Sequence, residues 1–355
     1  MVAMSGGVDS TVCALLLLEQ GYEPVGVTFR TFDSIKEHCL AKEKGCCSVE
    51  SIMEARHLAE KMGFGHHIVD FRETFKTHVI QNFVDEYMQG RTPNPCVLCN
   101  SHIKWGVLLE TADALGCQKI ATGHYAQIRQ RNGRYYLANA ADSHKDQTYF
   151  LWMLTEENLQ RTLFPLGGFT KPQVRRMALE RGFEKLSQKT ESQEICFIPN
   201  NDYRTFLASQ VPDFCQLCHE GNYLNRAGEV VGRHKGFANY TIGQRKKLGI
   251  ALGAPKYVTR IDVEWNEVTL GDYDDLYASG LQAHHCMFRD VAWLRESPEV
   301  EARIRYKSPA QSAFIQVDGD RAQLHFTRPV WGVTPGQSVV LYKNGLVVGG
   351  GIIEG

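Results

Sequence analysis

The sequence predicts a parallel α/β domain in the first half of the chain, followed by antiparallel β structure in the second half. Short apolar strands alternate with amphipathic helices in the first half, and beyond Pro212 the helical spacing gives way to short alternating strands. These later strands are enough for one small domain and one barrel. At 355 residues the chain is too long for one ordinary core, so two or three domains are expected.

The first predicted elements are a buried strand at Val2–Met4 and a helix at Thr11–Gln20, joined by Ser5-Gly6-Gly7-Val8-Asp9-Ser10. The two glycines permit positive φ and leave room for a ligand, and the helix start supplies free N–H groups. This combination is typical of a phosphate-binding loop. It lacks the Gly-Lys-Ser/Thr ending of a Walker loop. Asp9 either binds the Mg²⁺ that accompanies phosphates or caps the helix.

Strands and helices then alternate, with strands predicted at Pro24–Phe29, His67–Phe71 and Gln118–Thr122 and helices at Ser51–Met62 and Arg72–Met88. Such alternation predicts a parallel sheet, which binds ligands at the carboxyl ends of its strands. Ser5–Ser10, Thr28–Phe32 and Gly123-His124 lie at such ends, so we expect one nucleotide to contact all three.

Eleven cysteines indicate reactive thiols or metal ligands, because we expect a cytosolic protein, with no signal peptide before the first strand and no membrane-spanning run. A helix predicted at Ser101–Leu115 follows Cys96-x-x-Cys99, which makes Cys99 a candidate nucleophile with a lowered pKa. The alternative is a zinc site completed by Cys215 and Cys218. Cys196 lies in a predicted apolar strand, where a lone cysteine is more often a core residue.

The net charge of −1 gives no global attraction to nucleic acid, so RNA contacts would need local basic patches. Two candidates are the basic loop Thr241–Gly249 and the segment Arg303–Lys307, where basic residues alternate along one face of a predicted strand. A third is the helix bearing Arg175, Arg176 and Arg181. Each is alternatively an ordinary solvated surface.

The glycine loop resembles that of the N-type ATP pyrophosphatases, and nearly the whole chain resembles the family of bacterial tRNA-specific 2-thiouridylases. The segments that carry this resemblance are Ser5–Ser10, Cys46-Cys47-Ser48, Gly90–Pro95, Leu98-Cys99-Asn100, Ala121–Tyr125, Lys145-Asp146-Gln147, Ile195–Ile198, Gly243-Gln244-Arg245 and Thr334-Pro335-Gly336-Gln337. The resemblance implies an N-type ATP pyrophosphatase catalytic domain at 1–210, a central β domain at 211–274 and a C-terminal antiparallel β-barrel at 275–355.

The resemblance also implies a reaction and its partners. ATP with Mg²⁺ adenylates O2 of the wobble uridine of tRNA, and sulfur then displaces AMP. Cys196 receives the sulfur as a persulfide from a partner, a cysteine desulfurase or a relay protein, and Cys99 is the second catalytic thiol. The target base leaves the anticodon stack to reach the loop.

The implied binding residues form three sets. ATP contacts Met4, Ser5, Gly6, Gly7, Val8, Asp9, Ser10 and Gly123. The target base contacts Asn94, Pro95 and Cys96. The tRNA contacts His124, Lys145, Asp146, Gln147, Arg305, Tyr306 and Gln337.

One departure from the family is Cys96, where many members have Asp. Cys96, Cys99 and Cys196 together are a possible ligand set for an iron–sulfur cluster with one open iron. The competing hypothesis, which we favour, keeps Cys99 and Cys196 as a persulfide pair. Two other functions stay open: another adenylating enzyme of the same superfamily, against which the paired cysteines argue, and a nucleotide-regulated RNA-binding protein without chemistry.

Overall fold

The computed structural model describes residues 1–32, 49–189, 195–198 and 201–354, so the motif at 46–48 lies outside the described residues. The chain divides into two compact units. The first comprises Met1–Val79, Cys96–Asn201 and Asn344–Val347, and the second comprises Ile80–Pro95, Asp202–Lys343 and Val348–Gly355. We describe each unit by itself.

The first unit is built on a five-stranded sheet in which all neighbouring strands are parallel. The strands of this unit are β1 (Val2–Ala3), β2 (Gly26–Arg30), β3 (His66–Asp70), β4 (Ile120–Ala121), β5 (Gln127–Arg131), β6 (Arg134–Ala138) and β7 (Thr162–Leu163). The sheet order is β3-β2-β1-β4-β7, and β5 and β6 form an antiparallel hairpin outside this sheet. The predicted parallel α/β fold is therefore confirmed.

The described α-helices are α1 (Val8–Glu19), α2 (Val49–Lys61), α3 (Arg72–Phe75), α4 (Gln81–Met88), α5 (Pro95–Leu98), α6 (Leu108–Ala114), α7 (Glu156–Gln160), α8 (Lys171–Glu180), α9 (Glu184–Gln188), α10 (Tyr203–Gln210), α11 (Phe214–Leu217) and α12 (Val291–Glu296). Two π-helical segments, Lys76–Ile80 and Cys99–Val107, continue α3 and α5. Within the described residues, no helix has both the length and the apolar character needed to span a membrane.

The core of the first unit forms where α1, α2, α8 and α9 pack on β1. It contains Val2, Val12, Leu58, Val174 and Leu186, all with little exposed surface. Each helix presents apolar residues at helical spacing to this core, which accounts for its position beside the sheet.

Two predictions of local structure are wrong. The helix predicted to begin at Ser101 begins at Pro95 and runs on to Ala114 through the π-helix. Proline is favoured in the first turn of a helix because its missing N–H has no partner there. The predicted strand around Cys196 is a turn at 196–197.

The second unit contains a four-stranded sheet and a closed antiparallel barrel. Its strands are β8 (Gly221–Leu224), β9 (Val230–His234), β10 (Tyr257–Asp262), β11 (Glu267–Gly271), β12 (Tyr277–Phe288), β13 (Glu299–Arg303), β14 (Gln311–Asp318), β15 (Arg321–Trp331), β16 (Ser338–Lys343) and β17 (Leu346–Ile353), whose first two residues belong to the first unit. The small sheet has the order β10-β11-β8-β9, and the barrel closes through β12 and β17.

The barrel confirms the predicted β architecture and corrects one strand end. Asp318-Gly319, a sequence typical of tight turns, joins β14 to β15 in a hairpin, with Asp318 paired to Arg321 and Gly319 at φ 58°. Strand β13 ends at Arg303 and does not continue through the segment Arg303–Lys307 as predicted, because the chain bends from Ile304 onward. The basic residues 303–307 therefore do not alternate along one strand face.

Candidate active site

The loop between β1 and α1 has the form of a phosphate cradle. Gly6 has φ 66°, and a Cβ there would lie 2.7 Å from the carbonyl oxygen of Ser51, so only glycine fits without strain. The N–H of Ser5 donates to Oγ of Ser10 at 3.2 Å, and Oγ of Ser10 donates to the carbonyl of Gly7 at 3.1 Å. The loop is thus held in shape by its own hydrogen bonds while α1 begins at Val8 with free N–H groups.

Gly123 follows β4 and packs directly on the loop, as predicted for two strand ends that face one ligand. A Cβ on Gly123 would lie 2.9 Å from the carbonyl carbon of Asp9 and 3.0 Å from the nitrogen of Ser10. Such close backbone approach requires glycine. The structure therefore brings Gly123 and the loop together at the carboxyl edge of the sheet.

Asp9 does not cap α1, and both oxygens of its carboxylate already accept hydrogen bonds. The residue preceding α1 is Gly7, and no side chain caps the helix. Lys171 Nζ lies 2.7 Å from Asp9 Oδ2 and 2.8 Å from Oδ1, and the hydroxyl of Tyr125 donates to Oδ1 at 2.7 Å. A buried lysine therefore neutralises the carboxylate beside the phosphate cradle.

Lys171 is a site residue that the sequence analysis missed. It is the first residue of α8, beside Pro172, and its side chain is only 8% exposed. A second lysine, Lys189, donates to the carbonyl of Gly6 at 3.1 Å and pairs with Glu54 Oε2 at 2.5 Å. The two ammonium groups make the surroundings of the loop favourable for polyphosphate.

The Cys-x-x-Cys pair lies inside a helix. Cys96 is in the first turn, in α5, and Cys99 begins the π-helical segment one turn later. The prediction that Cys99 lies at the helix N-terminus is therefore wrong. The Cys96 thiol has exposed surface, yet desolvation by the surrounding protein raises its pKa, and the Lys104 ammonium opposes this rise.

Cys196 is exposed in a turn that is anchored by its neighbour. Phe197 is 1% exposed and packs edge-on against Phe75, with ring centroids 5.5 Å apart, and against Phe32 at 6.3 Å. Phe32 follows β2, so the turn lies at the carboxyl edge of the sheet. Phe75 belongs to α3, which also contacts the π-helix that begins at Cys99. Helix α3 is thus a common neighbour of both thiol-bearing segments.

The cysteines do not fit a metal centre in this arrangement. Among the residues that the structure describes, no three His, Cys, Asp or Glu side chains are placed to hold a metal ion, and Cys96, Cys99, Cys196, Cys215 and Cys218 are all described. Neither the iron–sulfur cluster nor the zinc site of the sequence analysis is supported by this geometry.

His124, one of the residues expected to contact tRNA, is buried. Its Nδ1 lies 2.7 Å from Oγ1 of Thr122, and Nε2 lies 3.4 Å from Nζ of Lys104. Desolvation lowers the pKa of His124 well below its ordinary value, with a smaller effect of Lys104 in the same direction. The neutral ring therefore accepts from Lys104 and donates to Thr122.

The segment Lys145-Asp146-Gln147 is mostly engaged within the first unit. Asp146 is 3% exposed and accepts from the N–H groups of Ala140 and Thr148 at 2.7 and 3.0 Å. Gln147 Oε1 accepts from the N–H of Tyr125 at 2.9 Å. Asp146 and Gln147 thus fix the chain around Tyr125, the partner of Asp9, and Lys145 keeps a partly exposed side chain.

In the second unit, Gln337 holds the loop expected to contact the target base. Its Nε2 donates to the carbonyls of Thr92 and Pro93 at 3.0 and 2.9 Å, and the N–H of Thr92 donates to the carbonyl of Pro335 at 2.9 Å. We call this arrangement the loop clamp. It positions Asn94 and Pro95 from the barrel, which gives Gln337 a structural role that its motif did not reveal.

Arg305 also binds within the second unit. Its Nη2 donates to the carbonyl of Ile242 at 3.1 Å and to Oγ1 of Thr334, and its guanidinium lies 5.8 Å from the ring centroid of Trp331. Tyr306 follows in the partly exposed bend. The roles predicted for both residues in tRNA binding stay predictions.

Three family models match successive parts of the chain. Residues 1–200 match the family described as "tRNA methyl transferase HUP domain", 205–272 match "tRNA methyl transferase PRC-barrel domain", and 283–353 match "Aminomethyltransferase beta-barrel domain". The parallel sheet with its phosphate cradle and the following β domains thus define a HUP-domain protein of the tRNA-modifying class.

Full-length relatives narrow the class further. The tRNA-specific 2-thiouridylase MnmA of Amoebophilus asiaticus is 48% identical over 100% of this chain and 94% of its own length, and that of Cytophaga hutchinsonii is 46% identical over 100% and 96%. The chain belongs to the tRNA-specific 2-thiouridylase family, a family of sulfurtransferases, and the resemblance found in the sequence is confirmed.

A solved 4-thiouridine synthetase–RNA complex with bound ATP shows a slighter likeness. It is 21% identical, covers 60% of this chain and 50% of its own, and has a TM-score of 0.37, which is too low to support an assignment.

Proposed function

We propose that this chain replaces O2 of the wobble uridine of tRNA by sulfur, after activating the base with ATP. The observation that carries the proposal is the phosphate cradle at the carboxyl edge of a parallel sheet, with the Cys196 turn at the same edge, in a chain similar to thiouridylases over its full length. In the proposed first step, uridine O2 attacks the α-phosphate of ATP, and pyrophosphate leaves.

The second step is sulfur transfer. A Cys196 persulfide, loaded by a donor protein, attacks C2 of the adenylated base through its terminal sulfur, and AMP leaves. The Cys99 thiolate then attacks the Cys196 sulfur of the linking disulfide. This cleavage releases 2-thiouridine and forms a Cys99–Cys196 disulfide, which an external thiol reduces before the next turnover. Each bond broken is thus matched by one formed.

The loop residues fit the first step. The N–H groups at the start of α1 can donate to a phosphate oxygen, and Lys171 and Lys189 supply positive charge near the pyrophosphate leaving group. Because both oxygens of Asp9 already accept hydrogen bonds, Mg²⁺ is expected to enter with ATP, and Asp9 joins its coordination only if Lys171 moves aside.

The test uses the full chain, unmodified tRNA, ATP and a protein persulfide donor, with mass analysis of the tRNA nucleosides. We expect Cys99→Ser and Cys196→Ser to abolish thiolation while tRNA binding and pyrophosphate release continue. Cys117→Ser, at a partly exposed cysteine outside the predicted site, is the matched control and is expected to remain active. Thiolation at the normal rate by either of the first two variants contradicts the thiol mechanism.

Two further measurements separate the alternatives. Iron and sulfide analysis after anaerobic purification tests the cluster hypothesis, and a colourless, iron-free protein that thiolates tRNA excludes it. Product mass also distinguishes replacement of oxygen by sulfur from addition of a methyl group, the chemistry named in the family descriptions.

A further inference from the structure

The second unit carries a cluster of four aromatic rings, Tyr257, Tyr273, Tyr277 and Trp331, which we call the aromatic platform. Tyr273 stacks on Trp331 with centroids 5.3 Å apart and an interplanar angle of 23°. Tyr257 meets Tyr273 edge-on at 5.6 Å, and Tyr277 meets Tyr273 edge-on at 5.9 Å. The rings brace one another in the offset and edge-to-face arrangements that aromatic pairs prefer.

The outer rings of the platform are open to solvent. Tyr273 is 47% exposed and Tyr277 is 45% exposed. Trp331 is fixed from within, because its Nε1 donates to the carbonyl of Tyr273 at 3.2 Å and it pairs with Tyr277 across β12 and β15. A rigid aromatic surface in water is a ready stacking partner, since little side-chain entropy remains to be lost on binding.

The positively charged basic loop, Thr241–Gly249, is hydrogen-bonded to β10 next to Tyr257 of the platform. The basic loop is tied to β10, because the N–H of Gly243 donates to the carbonyl of Val258 at 2.8 Å and the N–H of Val258 donates to the carbonyl of Gln244 at 3.0 Å. Tyr257 immediately precedes this junction. Arg305 reaches the same place, bonded to Ile242 and lying over Trp331.

The end of the basic loop and the segment that follows it line an open cavity of about 510 Å³, in which Arg245, Lys247 and Lys256 lie among small and apolar residues. Lys256 Nζ pairs with Asp272 at 2.7 Å, which connects the cavity wall to the residue before Tyr273. Arg245, Lys246 and Lys247 are exposed. The loop that carries these three cations approaches the platform at Gly243, where a Cβ would lie 3.0 Å from the Trp331 ring. Cations and exposed rings match the two components of an unpaired nucleotide, a phosphate and a base.

We propose that the aromatic platform and the basic loop bind unpaired nucleotides of the substrate tRNA, outside the uridine that is modified. A base stacks on Tyr273 and Tyr277, and its phosphates lie on Arg245 and Lys247. The inference rests on the proposed function, which supplies tRNA as the ligand. RNA is favoured over a protein partner because sequence-tolerant stacking combined with backbone cations is the general mode of binding single-stranded nucleic acid.

The experiment measures the Kd of full-length variants for unmodified tRNA by fluorescence anisotropy over a range of salt concentrations. We expect Tyr273→Ala and Tyr277→Ala each to weaken binding about tenfold without changing the salt dependence. Arg245→Ala is expected to reduce the slope of log Kd against log salt by about one. Trp265→Ala, at a ring that is 72% exposed in the same unit, is the matched control and is expected to bind normally.

Two results overturn the inference while leaving the proposed function intact. One is a wild-type chain that thiolates tRNA together with tyrosine variants whose Kd is unchanged. The other is a change of oligomeric state in those variants, seen by light scattering, in place of a change in tRNA affinity. A wild-type chain that neither binds nor thiolates tRNA contradicts the proposed function itself.

A second measurement uses only the wild-type chain, so it tests the inference even where the alanine variants do not fold. Ultraviolet crosslinking of bound tRNA, followed by peptide mapping, is expected to place crosslinks on Tyr273 or Tyr277. Crosslinks elsewhere in the chain and none on these peptides overturn the inference.

Discussion

Lys171 holds the phosphate cradle through its ion pair with Asp9. Lys171→Met leaves the Asp9 carboxylate, which is 33% exposed, with Tyr125 as its remaining described donor. Because Asp9 keeps some solvent, we expect a loss of about 1–3 kcal/mol in the free energy of unfolding. We also expect slower tRNA-dependent pyrophosphate release, with partial recovery in Lys171→Arg. Denaturant titration and a pyrophosphate assay measure the two effects.

Lys189→Met is the matched control for Lys171. The Lys189 side chain is 42% exposed and contacts a backbone carbonyl and Glu54, so its loss is expected to cost less stability. Equal effects of the two variants would show that Asp9 does not depend on Lys171.

The buried ring of His124 makes the stability of the fold depend on pH. Its pKa in the folded state lies well below the ordinary value of 6.5, so the unfolded chain binds the extra proton first as the pH falls. The neutral ring therefore stabilises the fold fully above pH 6.5, and this contribution declines below it, by at most about 1.4 kcal/mol per pH unit. His124→Gln should lose most stability relative to wild type at pH 7.5, and the difference should shrink toward pH 5. Unfolding curves at several pH values test this, and a constant difference contradicts it.

The loop clamp connects Gln337, just before β16 in the barrel, to the loop at Thr92 and Pro93. Gln337→Leu removes two hydrogen bonds to the carbonyls of Thr92 and Pro93, each worth about 1 kcal/mol. We expect faster hydrogen exchange in residues 91–95 and a higher KM for tRNA. Gln323→Leu, at an exposed position of β15, is the control. Exchange that is unchanged in Gln337→Leu would exclude the clamp.

Elements with a local cause were predictable from the sequence, and contacts between distant segments were not. The phosphate cradle follows from two glycines and an adjacent helix start, and β14–β15 follows from Asp318-Gly319. Lys171 and Asp9, in contrast, are 162 residues apart, and Gln337 and Thr92 are 245 apart. No periodicity marks such pairs. Pro95 was a readable signal for the start of α5, because proline favours the first turn of a helix.

The two compact units of the molecule are built from separate stretches of the chain and do not follow the order of the predicted domains. The predicted boundary at 210 places α10 in the catalytic domain, and the two predicted domain boundaries stay predictions. In the structure, α10 and α4 both belong to the second unit. Tyr87 of α4 stacks on Tyr203 of α10 at 4.7 Å, and Phe83 meets Phe206 at 6.0 Å. A helix that lies far earlier in the chain therefore completes the core of the second unit.

This arrangement predicts that residues 202–355 alone lack part of their core. Phe83 is 1% exposed and Tyr87 is 7% exposed, and loss of such large aromatic side chains costs about 3–5 kcal/mol each. We expect the fragment 202–355 to unfold at low denaturant and to be stabilised by an added peptide of residues 80–95. The same peptide with Phe83→Ala and Tyr87→Ala is the control and should have little effect. Phe83→Ala in the full chain should lower its unfolding free energy by a similar amount. Because the buried rings, and not the charge of the helix, supply the stabilisation, equal effects of the two peptides would contradict this account of the second unit.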